Sequence, residues 1–392
     1  MTGRLRRFLR DVDRRLACGA LLLGDRLRPH RHRAGKEPTA LAAVRSVLVV
    51  RLDEIGDMVL TTPFLRELRR NLPHASITLV VRPELFNLVA LCPYVDRVLA
   101  YDHDASTSAF RALAHARAFA RDQFTEAFDL GIAPRWDHDP RFASMLVFQS
   151  GARWRLGYRD RALLTHMPAS MPERHEAARN LNLIRSLGGT TADDRLELWL
   201  NEDDERFATE FLAAHGAERG GFLLAIAPGA TSPRRRWPVA SFATAAADIL
   251  RAHGGTVVVV GGEADRALGE QLRNSLGGHV INAVGQTTLR ETAAILKRCT
   301  LFVGNDSGPM HLAAAGGVPV IEISCHPGAG DPDHVNAPER FGPGTTPHKV
   351  LQPIAPLPPC TFACVSEGAH CIQSISPADA GAAATALLSS PR

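Results

Sequence analysis

The sequence predicts an α/β protein made of two doubly wound domains, and three observations carry that prediction. A chain of 392 residues exceeds what one hydrophobic core ordinarily organises. Short β-rich runs alternate with helical stretches, the rhythm of parallel strands joined by crossover helices. That rhythm runs twice, with a polar stretch at 188–204 between the two rounds. The expected division is a basic extension over 1–45, one Rossmann-like domain over 46–205 and a second over 206–392, with strand ends of the two domains facing a cleft.

The elements follow in order. The run Ser-Val-Leu-Val-Val-Arg at 46–51 reads as a buried strand, followed by a polar loop at 52–57 and a helical stretch at 58–71. Strands are expected at 76–81, 95–100 and 128–132, with an Ala/Arg-rich helix at 108–123 and another helix at 173–187. The second round restarts with a strand at 222–227, a loop at 228–238 and a helix at 239–253. Strand 256–260, helix 265–276, strand 279–282, helix 289–297 and strands 301–303 and 318–323 follow. The Pro-, Gly- and His-rich stretch 324–359 reads as loops, and an Ala-rich helix at 377–388 closes the chain.

Composition narrows the function classes. Hydrophobic residues make up 45% and charged residues 22%, the balance of a globular protein, and no apolar run approaches the roughly 20 residues of a membrane-spanning helix. The first 45 residues carry 12 Arg/Lys against 4 Asp/Glu, although the whole chain is only +4. Within them Leu5, Phe8, Leu9, Val12 and Leu16 recur at helical spacing among arginines, the pattern of a basic amphipathic helix on an anionic membrane surface. Contact with the inner face of the cytoplasmic membrane through residues 1–30 is therefore expected, and a disordered tail or a helix packed on the body is the alternative. No aromatic-interleaved basic sheet accompanies the charge, so nucleic acid is not an expected partner. The apolar piece at 20–23 is too short for a signal peptide, and a cytoplasmic location is expected. Seven cysteines in such a chain suggest reduced thiols. Cys360, Cys364 and Cys371 are spaced C-x3-C-x6-C with His370 available as a fourth ligand, but this is not a standard zinc knuckle; inert thiols are the expectation, with a loop-stabilising or redox role and a zinc site as alternatives.

The most informative stretch is 301–316, an apolar strand that turns through Asn-Asp-Ser-Gly-Pro into an Ala-rich helix. Pro309 fits the first helical turn and Gly308 lets a ligand approach the backbone. The N–H groups and dipole there favour an anion, and Asp306, Ser307 and His311 surround that point. At 227–238, Ala-Pro-Gly-Ala-Thr-Ser-Pro-Arg-Arg-Arg-Trp-Pro supplies hydroxyls of Thr231 and Ser232 and guanidinium groups, among them Arg235, to a diphosphate. At 261–265, Glu263 and Asp265 stand at another strand end, positioned for a ribose or base. Asp57 lies where the first strand meets its helix, a candidate general base directed into the cleft or an N-cap for that helix. Asp53 and Glu54 add charge nearby, either raising the pKa of Asp57 or simply solvated. Neither a dinucleotide fingerprint, a Walker A sequence nor a G-x-S-x-G elbow is present. Asp331-Pro-Asp333 matches the D-x-D of metal-dependent sugar transferases only formally, lying in a loop.

In this order, RLDEIGDMVLTTP, PGATSPRRRWP, GGEAD, the GQTTL turn, VGNDSGPMHLAAA and the late cysteines resemble glycosyltransferase family 9, the bacterial heptosyltransferases of lipopolysaccharide core assembly and their relatives. The resemblance covers residues 47–375. It implies a GT-B fold and inverting transfer without a metal or other cofactor. The N-terminal domain would take a lipid-linked glycan acceptor, and the C-terminal domain a nucleotide sugar, usually ADP-heptose. It places the catalytic aspartate at Asp57 and donor contacts at Thr231, Ser232, Arg235, Glu263, Thr288, Asp306, Ser307, Gly308 and His311. Asp53-Glu54 replaces a small hydroxyl pair, Arg235 replaces a lysine, and the loop after Ser324 lacks the usual Gly-Pro-Thr. These differences bear on donor and acceptor identity. A family member using a different nucleotide sugar, and a non-catalytic nucleotide-sugar-binding protein, are the alternatives.

Overall fold

The computed structural model describes residues 13, 16, 19, 41–102, 108–135, 141–169, 174–217, 220–277 and 280–389. The expected membrane-facing helix of the basic extension lies, apart from Asp13, Leu16 and Gly19, outside the described residues. Among the described residues no helix is long and apolar enough to cross a membrane.

Two compact units emerge. The first comprises residues up to Asp53, Phe64–Pro172 and Ala178–Asp193, and the second Glu54–Pro63, Glu173–Ala177 and Asp194–Arg392. This differs from a single break after residue 205, which falls inside a helix, Glu202–Ala214. That helix starts where it does because Asn201 and Asp204 form a reciprocal capping box, with four acidic residues in the first turn favouring the dipole. The segment carrying Asp57 also joins the second unit.

In the first unit, β1 (Ser46–Arg51), β2 (Ser76–Val81), β3 (Arg97–Ala100), β4 (Leu130–Ala133) and β5 (Trp154–Gly157) form a parallel sheet in the order β3-β2-β1-β4-β5. β1 is buried from Val47 to Arg51, as expected of a central strand covered on both faces. At its end Asp53 pairs with Arg51 at 3.2 Å and with Arg135. Burial alone would raise its pKa, but the guanidinium groups of Arg51 and Arg135 outweigh it and hold the carboxyl below the usual range. Asp53 is thus a buried ion-pair member, not a solvated loop charge. A cavity of about 870 Å³ in this unit, lined by Phe110, Arg117, Phe124 and Gln149 among others, holds none of the candidate residues.

In the second unit, β6 (Leu223–Ala227), β7 (Thr256–Val259), β8 (Val280–Asn282), β9 (Leu301–Asn305), β10 (Val320–Ile323) and β11 (His348–Leu351) are parallel in the order β11-β10-β9-β6-β7-β8. Leu224, Ile226, Trp237, Phe242, Val257, Val303 and Ile321 form its core. The strand order reverses between β6 and β9. Such a switch point opens a crevice at the carboxyl ends of the two strands, where ligands bind in folds of this class.

Several elements depart from the sequence expectation. The helical stretch 58–71 is two helices, Ile55–Val59 and Thr62–Asn71. The Thr61 hydroxyl donates to the Asp57 carbonyl at 2.7 Å and that of Thr62 to Val59 at 2.8 Å, so side chains take carbonyls at the break. Helices Pro83–Val89 and Ala143–Gln149 and strand β5 lie in stretches left unassigned, and the expected loop 324–359 contains β11. Being four residues long and largely exposed, β11 is an edge strand with little hydrophobic pattern to read.

Candidate active site

The loops that leave β6 and β9 meet at the switch point and are tied by one side chain. Asn305, wholly buried as the last residue of β9, donates its Nδ2 to the Pro228 carbonyl at 2.8 Å. Its Oδ1 accepts from the Trp237 N–H at 3.0 Å. The 228–238 loop is thereby held over the start of the next segment. From that loop Arg235 reaches Asp306, with Nη1 to Oδ2 at 3.1 Å. Burial by itself would lower the pKa of Arg235, but Asp306 leads a set of negative groups, including Asp57, that raises it above the ordinary value. The guanidinium is therefore a fixed positive charge, and its Nε is buried with no partner among the described residues.

The helix Gly308–Ala315 begins here, with Ser307 as N-cap and a proline in its first turn. Except at its ends it is buried and apolar, so His311 is an imidazole in a dry setting. Burial lowers its pKa to about 4, with Asp306 opposing and His175 and Arg235 reinforcing the shift. His311 is neutral near pH 7, and its Nδ1 is buried without a partner among the described residues. The Ser307 hydroxyl is in the same condition.

The short helix Ile55–Val59 packs on this one through two glycines. A Cβ on Gly56 would collide with the His311 ring, falling 2.7 Å from Nε2, and a Cβ on Gly308 would lie 2.9 Å from that of Ile55. Glycine at these positions permits a backbone approach that any side chain would block. Asp57, the residue after Gly56, is thus brought beside the Asp306–His311 corner. It is not the N-cap: Glu54 holds that position, and the Asp57 Oδ2 accepts from the Glu54 N–H at 3.1 Å from the third helical position. Asp57 is partly exposed.

Asp57, Arg235, Asp306, Ser307, Gly308 and His311 therefore form one constellation, all of it in the second unit. The aspartate had been expected from the N-terminal domain across a cleft. Thr231 is exposed in the loop after β6, and Ser232 caps the turn Pro233–Arg235, its carbonyl accepting from the Arg235 N–H at 3.0 Å. Glu263 is exposed at the end of β7 and holds Arg266 at 2.5 Å, the hydrogen bond to Arg266 lowering its pKa. The Thr288 side chain serves a capping box with Glu291.

Two residues of the site went unread in the sequence. Glu322 on β10 is buried, and burial, reinforced by Asp306 and Glu339 and only partly offset by Arg235, raises its pKa well above the ordinary value. The signal available was a lone carboxylate in an otherwise apolar strand. Asn305, the tie between the loops, stood in plain view in the Val-Gly-Asn-Asp-Ser-Gly run.

Comparison with known proteins gives the chain its family. The profile of glycosyltransferase family 9 (heptosyltransferase) matches residues 126–326. The lipopolysaccharide core heptosyltransferase OpsX of Haemophilus influenzae is 22% identical over 295 residues, covering 73% of this chain and 80% of that protein. A solved glycosyltransferase family 9 structure from Veillonella parvula has a TM-score of 0.74 at 26% identity, covering 88% of this chain and 97% of that one. The E. coli ADP-heptose lps heptosyltransferase II superposes with a TM-score of 0.65 at 20% identity, covering 88% and 98%. The fold is the GT-B type, with two Rossmann-like domains. The chain, an enzyme that transfers glycosyl groups, belongs to glycosyltransferase family 9.

Proposed function

We propose that this chain is an inverting transferase that moves heptose from ADP-heptose to an acceptor of the lipopolysaccharide core, without a catalytic metal. The observation that carries the reading is the constellation itself, in which a partly exposed aspartate stands beside an arginine–aspartate pair and a helix N-terminus at a switch point. Asp57 takes the proton of an acceptor hydroxyl as that oxygen attacks the anomeric carbon of the donor. The bond from that carbon to the diphosphate breaks, the configuration inverts, and ADP leaves carrying the bonding pair. Arg235, the Ser307 hydroxyl and the first turn at Gly308 meet the charge that develops on the diphosphate, with Thr231 and Ser232 as further donors. These fixed groups take the part a metal ion plays in other transferases. Glu263 and Thr288 are assigned to the nucleotide side of the donor, and the lipid-linked acceptor to the N-terminal unit. The likeness to OpsX, a lipopolysaccharide core heptosyltransferase, and to the E. coli ADP-heptose lps heptosyltransferase II supports the choice of donor and acceptor.

Transfer assays without added Mg²⁺ or Mn²⁺ test this directly, comparing ADP-heptose with ADP-hexoses and UDP-hexoses on a heptose-deficient core acceptor. The expected result is turnover with ADP-heptose that does not rise when Mg²⁺ or Mn²⁺ is added, and a product anomer opposite to the donor's. Faster turnover with a UDP-hexose, or a product of retained configuration, contradicts the reading.

A further inference from the structure

The late cysteines, expected to be inert, converge. Sγ of Cys360, Cys364 and Cys371 and a ring nitrogen of His370 all lie within 4.8 Å of one another. The His370 Nδ1 is 3.4 Å from the Cys371 Sγ and 3.7 Å from that of Cys360. A tetrahedral zinc with bonds of about 2.3 Å to sulfur and about 2.0 Å to nitrogen sets sulfur–nitrogen edges of roughly 3.5 Å, so these two edges already have the required length. The Val365 N–H points at the Cys360 Sγ at 3.4 Å, as a backbone donor does when it steadies a ligating sulfur. The three sulfurs are buried and none is in a disulfide.

The surroundings give the cluster a purpose. Between β11 and the final helix Pro377–Ser389 the only regular element among the described residues is the turn Cys371–Ser374. Ile354, Phe362 and Val365 point outward, 91%, 73% and 64% exposed, and the side chains that this segment turns inward are mostly the three cysteines with Ile372 and Ile375. A stretch with so little regular structure gains order from a metal that ties its side chains together. The same segment holds the 228–238 loop: Arg234 Nη1 donates to the Cys364 carbonyl at 3.3 Å, and Trp237 Nε1 to that of Ile375 at 3.2 Å.

We infer that Cys360, Cys364, His370 and Cys371 bind one zinc ion as a closed structural site that fixes the segment on which the 228–238 loop rests. Three sulfurs and one imidazole make a complete tetrahedral set, leaving no open position for a reacting water. The site is therefore separate from the transfer chemistry and stands whether or not the proposed donor is right. Binding releases the thiol protons to solvent, and no oxidant or reductant is involved.

Elemental analysis of the full-length protein, purified under reducing conditions without chelator, tests the assignment. The expected content is about one zinc per chain, falling at least tenfold in the Cys360→Ser/Cys371→Ser variant. Because that variant can fail to fold, wild-type protein stripped by chelator is also titrated with Co²⁺. Thiolate charge-transfer absorption and intense tetrahedral d–d bands, saturating at about one equivalent, are expected, together with a raised melting temperature on adding Zn²⁺. Overturning results are a zinc content below about a tenth of an equivalent with no cobalt bands, a disulfide among the three cysteines in freshly prepared protein, zinc retained by the serine variant, or stoichiometric iron in zinc's place.

Discussion

Glu322 and His311 are buried beside the same Arg235–Asp306 pair, and burial disfavours the charged form of each. For Glu322 the consequence for stability has a definite sign. In the unfolded chain its carboxyl ionises near 4.5, whereas in the folded state it keeps its proton to a higher pH. The folded state then binds more protons, and stability falls as the pH rises through 4.5. Glu322→Gln removes this linkage while preserving shape. Denaturant midpoints measured from pH 4 to 8 should show the variant gaining on the wild type above pH 4.5, with no difference in trend below it. His311 works in the opposite direction, since its pKa of about 4 lets the unfolded state take the proton first as the pH falls below 6.5. At this scale the sequence was legible at strand ends, where Arg235 and Asp306 stand in polar turns and His311 follows in the first helical turns. It was silent on Glu322, because no pattern in Val-Ile-Glu-Ile tells a carboxylate turned to solvent from one sealed among apolar neighbours.

Two helix starts meet through glycine in the second unit, and this packing brings Asp57 to the corner formed by 306–311. An alanine at Gly56 drives its methyl into the His311 ring, so the helix Ile55–Val59 must shift or the ring must turn. Overpacking of this kind costs about 1–3 kcal/mol. The prediction for Gly56→Ala is a folded protein of lower melting temperature whose kcat drops by more than tenfold while donor affinity changes little, as read by calorimetry and steady-state kinetics. Wild-type kcat would show that the close approach is not needed. The strands and most helices of this unit were readable, since helices 239–253 and 289–297 and the strand at 301 follow from periodicity and caps. The break at 60–61 was not, because it depends on two threonine hydroxyls competing for carbonyls. The packing of residue 56 on residue 311 was equally hidden, being a contact 255 positions apart in the chain.

At the scale of the whole molecule, the double Rossmann-like architecture followed from two rounds of the strand–turn–helix rhythm, and the ordered motifs pointed to the family. The ownership of segments did not follow. Residues 54–63 and 173–177 leave the unit that surrounds them in sequence and join the other. Chain order suggests the simpler partition because nothing local marks such an exchange. Its result is that Asp57, Arg235 and the helix start at Gly308 are carried by one unit, so their mutual geometry is set within a single packed body.

The proposed mechanism gives Asp57 one task, the removal of a proton during transfer, and leaves donor binding to other groups. The decisive measurement is kcat for Asp57→Asn together with its dissociation constant for ADP-heptose by titration calorimetry. Loss of the base is expected to lower kcat by roughly 10²- to 10⁴-fold, with the dissociation constant within about threefold of wild type, since a general base adds to the transition state and not to ground-state binding. A variant that turns over within a few fold of wild type, or one that no longer binds the donor, contradicts the account.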